Sequence, residues 1–180
     1  PKSEDWCLEP FEVTSVEEGG IGERVCIDLT ERMGVGEGLF TGSFSSCLLL
    51  LQAEVMENTH VPPRPFRVNA GAVHAYVLTP EGDTKYLEEL RSGDEVEIWG
   101  SNGPIRTAKI GRLKIERRPF LTIRGRTEQS EGQIMVQQAE TVNFIDFEGN
   151  SISATDIIPG QILLAYCMGS ARHIGKAVPS

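Results

Sequence analysis

The chain has no long apolar run. Its longest is Cys47-Leu48-Leu49-Leu50-Leu51, far short of the roughly 20 residues a membrane-crossing helix needs, so no membrane span is expected. The run reads as a buried strand or a short helix. Cysteine is sparse: Cys7, Cys26, Cys47 and Cys167 form no CxxC pair, and none is flanked by a zinc-type histidine pattern. That usage, with no signal-peptide pattern, fits buried thiols in a reduced, cytoplasmic protein. Positive charge is in deficit: 17 Lys and Arg against 26 Asp and Glu give a net charge of -9 and a pI near 4.9. Nucleic acid and anionic membrane surfaces are therefore poor candidates as partners. Nucleotide fingerprints are missing as well. Gly34-Val35-Gly36-Glu37-Gly38 reads as a tight turn with no helix pattern after it, and neither a P-loop nor a Gly-x-Ser-x-Gly elbow occurs.

Amphipathic stretches with helical period are also scarce. Short β-branched runs bounded by Gly, Asp, Asn and Pro predict strands over 11–17, 24–29, 38–41, 48–55, 66–69, 73–78, 95–99, 105–116, 120–126, 133–137, 141–147 and 162–166. Turn signals separate them at Glu18-Gly19-Gly20, Glu81-Gly82-Asp83, Ser101-Asn102-Gly103, Ser130-Glu131-Gly132 and Glu148-Gly149-Asn150. Only 85–90 and 153–158 suggest helix. Residues 76–99 align without gaps on 143–166 at an offset of 67, bringing Gly82 onto Gly149, Gly93 onto Gly160 and Trp99 onto Tyr166. A weaker third copy over 29–42 has Met33 and Gly36 in the places of Leu90 and Gly93. The expectation is one mostly-β domain over residues 1–180, a pseudo-symmetric barrel or sandwich of a duplicated β-unit with few short helices.

Against the acidic background, residues 64–76 stand out. Arg64-Pro65-Phe66-Arg67-Val68-Asn69-Ala70-Gly71-Ala72-Val73-His74-Ala75-Tyr76 gathers anion-binding and proton-moving side chains among small and apolar ones. As strands, Arg67 and Asn69 share one face, and His74 and Tyr76 another. Arg64 and Arg67 suit a carboxylate or phosphate clamp, His74 a general acid/base and Tyr76 its hydrogen-bonding partner; the bland alternative is a structural salt bridge and a core histidine. Alternation over 111–119 puts Arg112, Lys114 and Glu116 on one face, as an anion site with Lys114 and Glu116 in catalytic roles or as a solvated ladder. Gly42-Ser43-Phe44-Ser45-Ser46 resembles a backbone nest for an oxyanion, with Ser43 as a substrate contact, or is a plain loop. Glu54, Glu57 and His60 are metal-ligand types without diagnostic spacing, and no metal site is assigned. His173, in Arg172-His173-Ile174-Gly175, is a further substrate-contact candidate.

With these motifs in place, the chain resembles the C-terminal part of the type II (archaeal-type) 3-dehydroquinate synthase family. The resemblance rests on Gly22-Glu23-Arg24-Val25-Cys26-Ile27-Asp28-Leu29, Gly36-Glu37-Gly38-Leu39 with Gly42-Ser43, residues 64–76, residues 111–119, Gln138-Ala139-Glu140-Thr141 and Arg172-His173-Ile174-Gly175, in family order. It implies an enzyme of the alternative shikimate route that turns 2-amino-3,7-dideoxy-D-threo-hept-6-ulosonate into 3-dehydroquinate, by NAD-linked oxidative deamination and cyclisation. A related branch makes 3-amino-4-hydroxybenzoate from a phosphorylated C7 amino sugar acid, with a divalent metal. A different-class alternative is a non-catalytic β module for oligomerisation or ligand binding. The resemblance also implies a longer protein. This chain, which starts at Pro1 rather than Met, is expected to be completed by an N-terminal half, to take a small anionic substrate and to be compatible with a homo-oligomer.

Overall fold

In a computed structural model of the chain, residues 6–57 and 60–168 are described. Among the described residues the chain forms twelve β-strands and three single 3-10 turns. The strands are β1 (Trp6–Leu29), β2 (Gly38–Phe44), β3 (Cys47–Gln52), β4 (Arg67–Ala72), β5 (Tyr76–Leu78), β6 (Thr84–Tyr86), β7 (Glu95–Gly100), β8 (Gly103–Arg126), β9 (Glu131–Gln137), β10 (Asn143–Ile145), β11 (Ser151–Ser153) and β12 (Ile162–Met168). All pairings are antiparallel. They run β3-β12-β1-β8-β7-β2, and the β2–β3 hairpin closes the path into a six-stranded ring. The hairpins β5–β6 and β10–β11 extend from β2 and β3, β4 lies beside β1, and β9 beside β8. The mostly-β barrel expectation holds.

The spine is the β1–β8 pair, each strand 24 residues long. Here the structure corrects the sequence reading, which splits both strands in two. Glu18-Gly19-Gly20 is not a chain reversal but a bulge: Glu18 faces Leu121 and Ile21 faces Pro119, so β1 carries one extra residue there. Gly20, at φ +80°, absorbs the bend. Pro119 has no N–H to give and sits at this interruption of the ladder, the place where a long strand tolerates proline. Residues 73–75 also depart from expectation. Val73 and His74 form a turn, so His74 and Tyr76 do not share a strand face.

Apolar alternation sorts the core into two clusters. In β3, Cys47, Leu49 and Leu51 face the larger cluster with Phe11, Ile27, Ile123 and Phe144, while Leu48 and Leu50 face the smaller one. A strand buried on both sides accounts for the uninterrupted apolar run. The smaller cluster is organised by three rings, Phe40, Trp99 and Tyr166, with centroids 5.3, 5.4 and 5.5 Å apart and largely edge-on. They come from β2, β7 and β12, the last strand of each sequence copy. The elements recur at the 67-residue offset: β5 and β10, β6 and β11, the 3-10 turns Leu87–Glu89 and Ala154–Asp156, and the starts of β7 and β12. Gly93 and Gly160 share φ of +95° and +96°, values an L side chain resists. The two helical suggestions correspond to these 3-10 turns.

Trp99→Ala removes one member of the ring triad from a site 1 % exposed. The expected cost is about 3–5 kcal/mol, read as a lowered denaturant midpoint with unchanged slope.

Candidate functional site

The second half of β1 lies between β4 and the middle of β8. Val25 and Ile27 point into the core with Val68 and Ala70, so Arg24, Cys26 and Asp28 take the opposite face. Register then fixes their neighbours. Arg67 and Arg112 flank Asp28, Asn69 and Lys114 flank Cys26, and Glu116 lies across from Arg24. Three strands thus present one polar face, most of it buried on the β4 and β1 side.

Asp28 is its hub. Arg67 grips it bidentately, Nε donating to Oδ1 at 2.7 Å and Nη2 to Oδ2 at 3.1 Å, and Arg112 Nε donates to Oδ2 at 3.0 Å. Burial opposes ionisation of this carboxyl, but the hydrogen bonds and charges of the two arginines outweigh it and hold Asp28 below the usual range. Glu116 forms a second hub, accepting from Arg24 Nη2 at 2.7 Å and from Arg118 Nη2, with Lys114 Nζ 3.6 Å away. Partial burial works against its ionisation, and Arg118, Lys114 and Arg24 together bring it below the usual glutamate range. Gln137 of β9 ties Asn69 to the Glu116 hub, its Oε1 accepting from Arg24 Nη1 at 2.6 Å and from Asn69 Nδ2 at 2.9 Å. Because Arg24 can only donate, it fixes both amides: Gln137 must offer oxygen, so Asn69 must offer nitrogen. That leaves Asn69 Oδ1 and Arg24 Nε buried without a hydrogen-bond partner. Cys26 lies between them with its thiol pushed up to about 11 by burial, and stays protonated at neutral pH.

Glu54 borders this face. Its carboxyl is raised by burial against the opposing pull of Arg67, Arg64 and Arg24, and Arg64 Nη1 lies 3.6 Å from it. Arg24, Arg64, Arg67, Arg112, Lys114 and Arg118 face Asp28, Glu54 and Glu116, a local excess of positive charge in a chain of net charge -9. The side chains of Arg112, Lys114 and Arg118 are 63 %, 45 % and 40 % exposed, so these cations are open to solvent. The arrangement suits an anion: inner arginines locked by carboxylates, outer cations braced but accessible.

The structure brings together six of the sequence candidates, Arg64, Arg67, Asn69, Arg112, Lys114 and Glu116. Arg67 adopts its salt-bridge alternative, its Nε–Nη2 edge taken by Asp28. The other candidates lie elsewhere. His74 is exposed in the turn after β4, and Tyr76 stacks on Tyr86 at 4.4 Å with their hydroxyls 2.8 Å apart. Among the described residues, no hydrogen bond or ion pair links His74 or Tyr76 to the charged face. Ser43 accepts from Gln133 Nε2 at 3.4 Å beside the tight β2–β3 hairpin that Gly42 to Ser46 form. His173 lies outside the described residues. Among those described, no three metal-ligand side chains converge. Sequence reasoning assigned no role to Arg24, Asp28, Arg118 or Gln137. The polar alternation Arg24, Cys26, Asp28 in an otherwise apolar strand was a usable signal; Gln137 carried none.

Asp28→Asn strands the buried Arg67 guanidinium. The expected cost at pH 7 is about 3–5 kcal/mol. Because the Asp28 carboxyl is held low, its contribution is full above the unfolded-state carboxylate value and fades as pH falls through the folded one. Urea midpoints of the two proteins therefore converge on acidification towards pH 3.

Residues 10–180 match the family model described as the 3-dehydroquinate synthase II C-terminal domain. Similar curated proteins are each named 3-dehydroquinate synthase. That of Methanopyrus kandleri is 48 % identical over 95 % of this chain and 43 % of its own length. That of Methanosphaera stadtmanae is 46 % identical over 97 % of the chain and 49 % of its own. That of Methanothermobacter thermautotrophicus is 42 % identical over 98 % and 47 %. The chain thus spans about half the length of these relatives. No solved structure matches. With a match over nearly its whole length, the chain belongs to the 3-dehydroquinate synthase II family and carries that family's C-terminal domain.

Proposed function

We propose that this chain is the substrate-anion-binding half of a 3-dehydroquinate synthase II-type enzyme of aromatic amino acid biosynthesis. The substrate in this reading is 2-amino-3,7-dideoxy-D-threo-hept-6-ulosonate, deaminated oxidatively with NAD and cyclised. The observation that carries it is the charged face. An acidic protein concentrates five cations on three adjacent strands with Arg64 beside them, and leaves Arg112, Lys114, Arg118 and Arg64 accessible, which matches a substrate bearing a carboxylate. Arg112 and Arg118 offer forked donors and Lys114 a mobile one between them. The chain's part is to hold the anion and orient the sugar acid for proton transfer. The residues described here do not fit a dinucleotide in the usual way. Their helical segments are single 3-10 turns, so no strand–glycine-turn–helix cradle exists among them for a pyrophosphate. In this reading NAD is held by the rest of the longer enzyme.

The test uses the full-length enzyme with this substrate and NAD, followed by NADH absorbance. Arg112→Met and Lys114→Met each remove a charge-assisted contact of about 1.5–3 kcal/mol. KM is expected to rise at least about tenfold in each, with the smaller change in kcat. Wild-type enzyme that forms no NADH, or both variants with unchanged KM, contradicts the reading.

A further inference from the structure

Glu54 is the carboxylate at this site that the ion-pair network does not consume. Asp28 is taken by Arg67 and Arg112, and Glu116 by Arg24, Arg118 and Lys114. Glu54 has Arg64 Nη1 at 3.6 Å, beyond hydrogen-bonding reach, and Arg64 is itself 37 % exposed. Yet the residue is firmly placed. Its N–H donates to the Arg67 carbonyl at 2.8 Å, its own carbonyl accepts from Arg64 N–H at 2.7 Å, and its side chain is only 12 % exposed. Arg24, Arg67, Asp28 and the Cys26 thiol lie within electrostatic reach of it. It also lines an open groove of about 370 Å3, with Glu57, Glu140 and Asp156 as the other charged lining groups and Thr141, Asn143 and Ser153 as neutral ones.

A structural ion pair would look different. It would be short and hydrogen-bonded, with the carboxyl held low, as Asp28 shows. Burial dominates at Glu54 instead, and moves the carboxyl up in spite of three arginines. A fixed, largely buried carboxyl that lines a groove, lies 3.6 Å from one arginine and is hydrogen-bonded to none can both lose a proton to and regain one from a ligand lying along that groove.

We infer that Glu54 is a proton-transfer residue of the substrate site, acting on the carbon next to the substrate's carbonyl. Its carboxylate takes the proton, the electron pair of the broken C–H bond moves onto the carbonyl oxygen to give the enolate, and ring closure consumes that enolate. The proton then returns from the Glu54 carboxyl to the oxygen formed in the closure. This inference rests on the substrate reading above.

The experiment makes Glu54→Gln and Glu54→Asp in the full-length protein and measures substrate affinity by calorimetry, kcat across pH, and melting temperature at pH 4 and 8. Glu54→Gln is expected to bind the C7 substrate within about threefold of wild type and to lose at least about 100-fold in kcat. Glu54→Asp should restore part of that loss. A carboxyl raised by folding contributes stability below its unfolded value and loses it as pH rises through the folded one. The Gln variant, with nothing to ionise, should therefore melt no lower than wild type at pH 8, and its standing relative to wild type should improve from pH 4 to pH 8. A purely structural Arg64 pair predicts the reverse, a variant clearly less stable at pH 8 with kcat close to wild type, and that result overturns the inference. Turnover by wild type together with near-equal turnover by Glu54→Gln removes Glu54 alone. A wild-type protein that does not bind the C7 substrate removes the substrate reading, and this inference with it.

Discussion

The Asp28 carboxylate, buried between Arg67 and Arg112, is the constraint from which the site follows. Three strands meet at this one side chain, and its 5 % exposure means that water cannot stand in for either arginine. Isolated, the carboxylate would be costly to bury; gripped from both sides it stays ionised and holds β4 and β8 in register with β1. A second network lies along the same face. Asn69 and Arg24 meet at Gln137, Arg24 reaches Glu116, and Glu116 gathers Lys114 and Arg118. Each inner cation is used up by a carboxylate, so the outer ones are braced and still accessible. That division separates buried, paired charges from solvent-accessible ones within one strand face.

The barrel makes this possible by keeping apolar and polar work on opposite sides of the same strands. Val25 and Ile27 seal the core while Arg24, Cys26 and Asp28 build the polar face, and the bulge at Gly20 sets where the second half of β1 begins. The Phe40, Trp99 and Tyr166 triad anchors β2, β7 and β12 in the smaller core cluster. The charged face can therefore carry unsatisfied atoms, at Arg24 Nε and Asn69 Oδ1, on a frame whose stability comes from elsewhere.

Much of the fold was legible because period-two alternation and glycine turns are local signals. The offset of 67 residues foretold matching hairpins, matching 3-10 turns and matching positive-φ glycines down to the residue. The continuity of β1 and β8 was not legible. Glu18-Gly19-Gly20 and Pro119 have the composition of turns, and only their pairing with each other turns them into a bulge within one long ladder. The face of Arg112, Lys114 and Glu116 was legible from alternation, as was that of Arg67 and Asn69. That the two faces are one was not, because β1 joins them through residues far away in sequence. His74 drew attention by its chemistry, but a turn at Val73 carries it out of the strand geometry that would have aimed it. Glu54 was passed over for the opposite reason. Its spacing to Glu57 and His60 says little, and its burial beside arginines arises only in the folded chain.

The central claim is that the β4–β1–β8 face receives an anionic substrate. An amide NMR titration of the protein with the C7 amino sugar acid tests it most directly. The account predicts that the largest shifts cluster at Arg24, Cys26, Asp28, Arg67, Asn69, Arg112, Lys114 and Arg118, and that they diminish with added salt as outer cations are screened. Shifts centred on the Tyr76 and Tyr86 stack, or no saturable shifts at any of these positions, would contradict it.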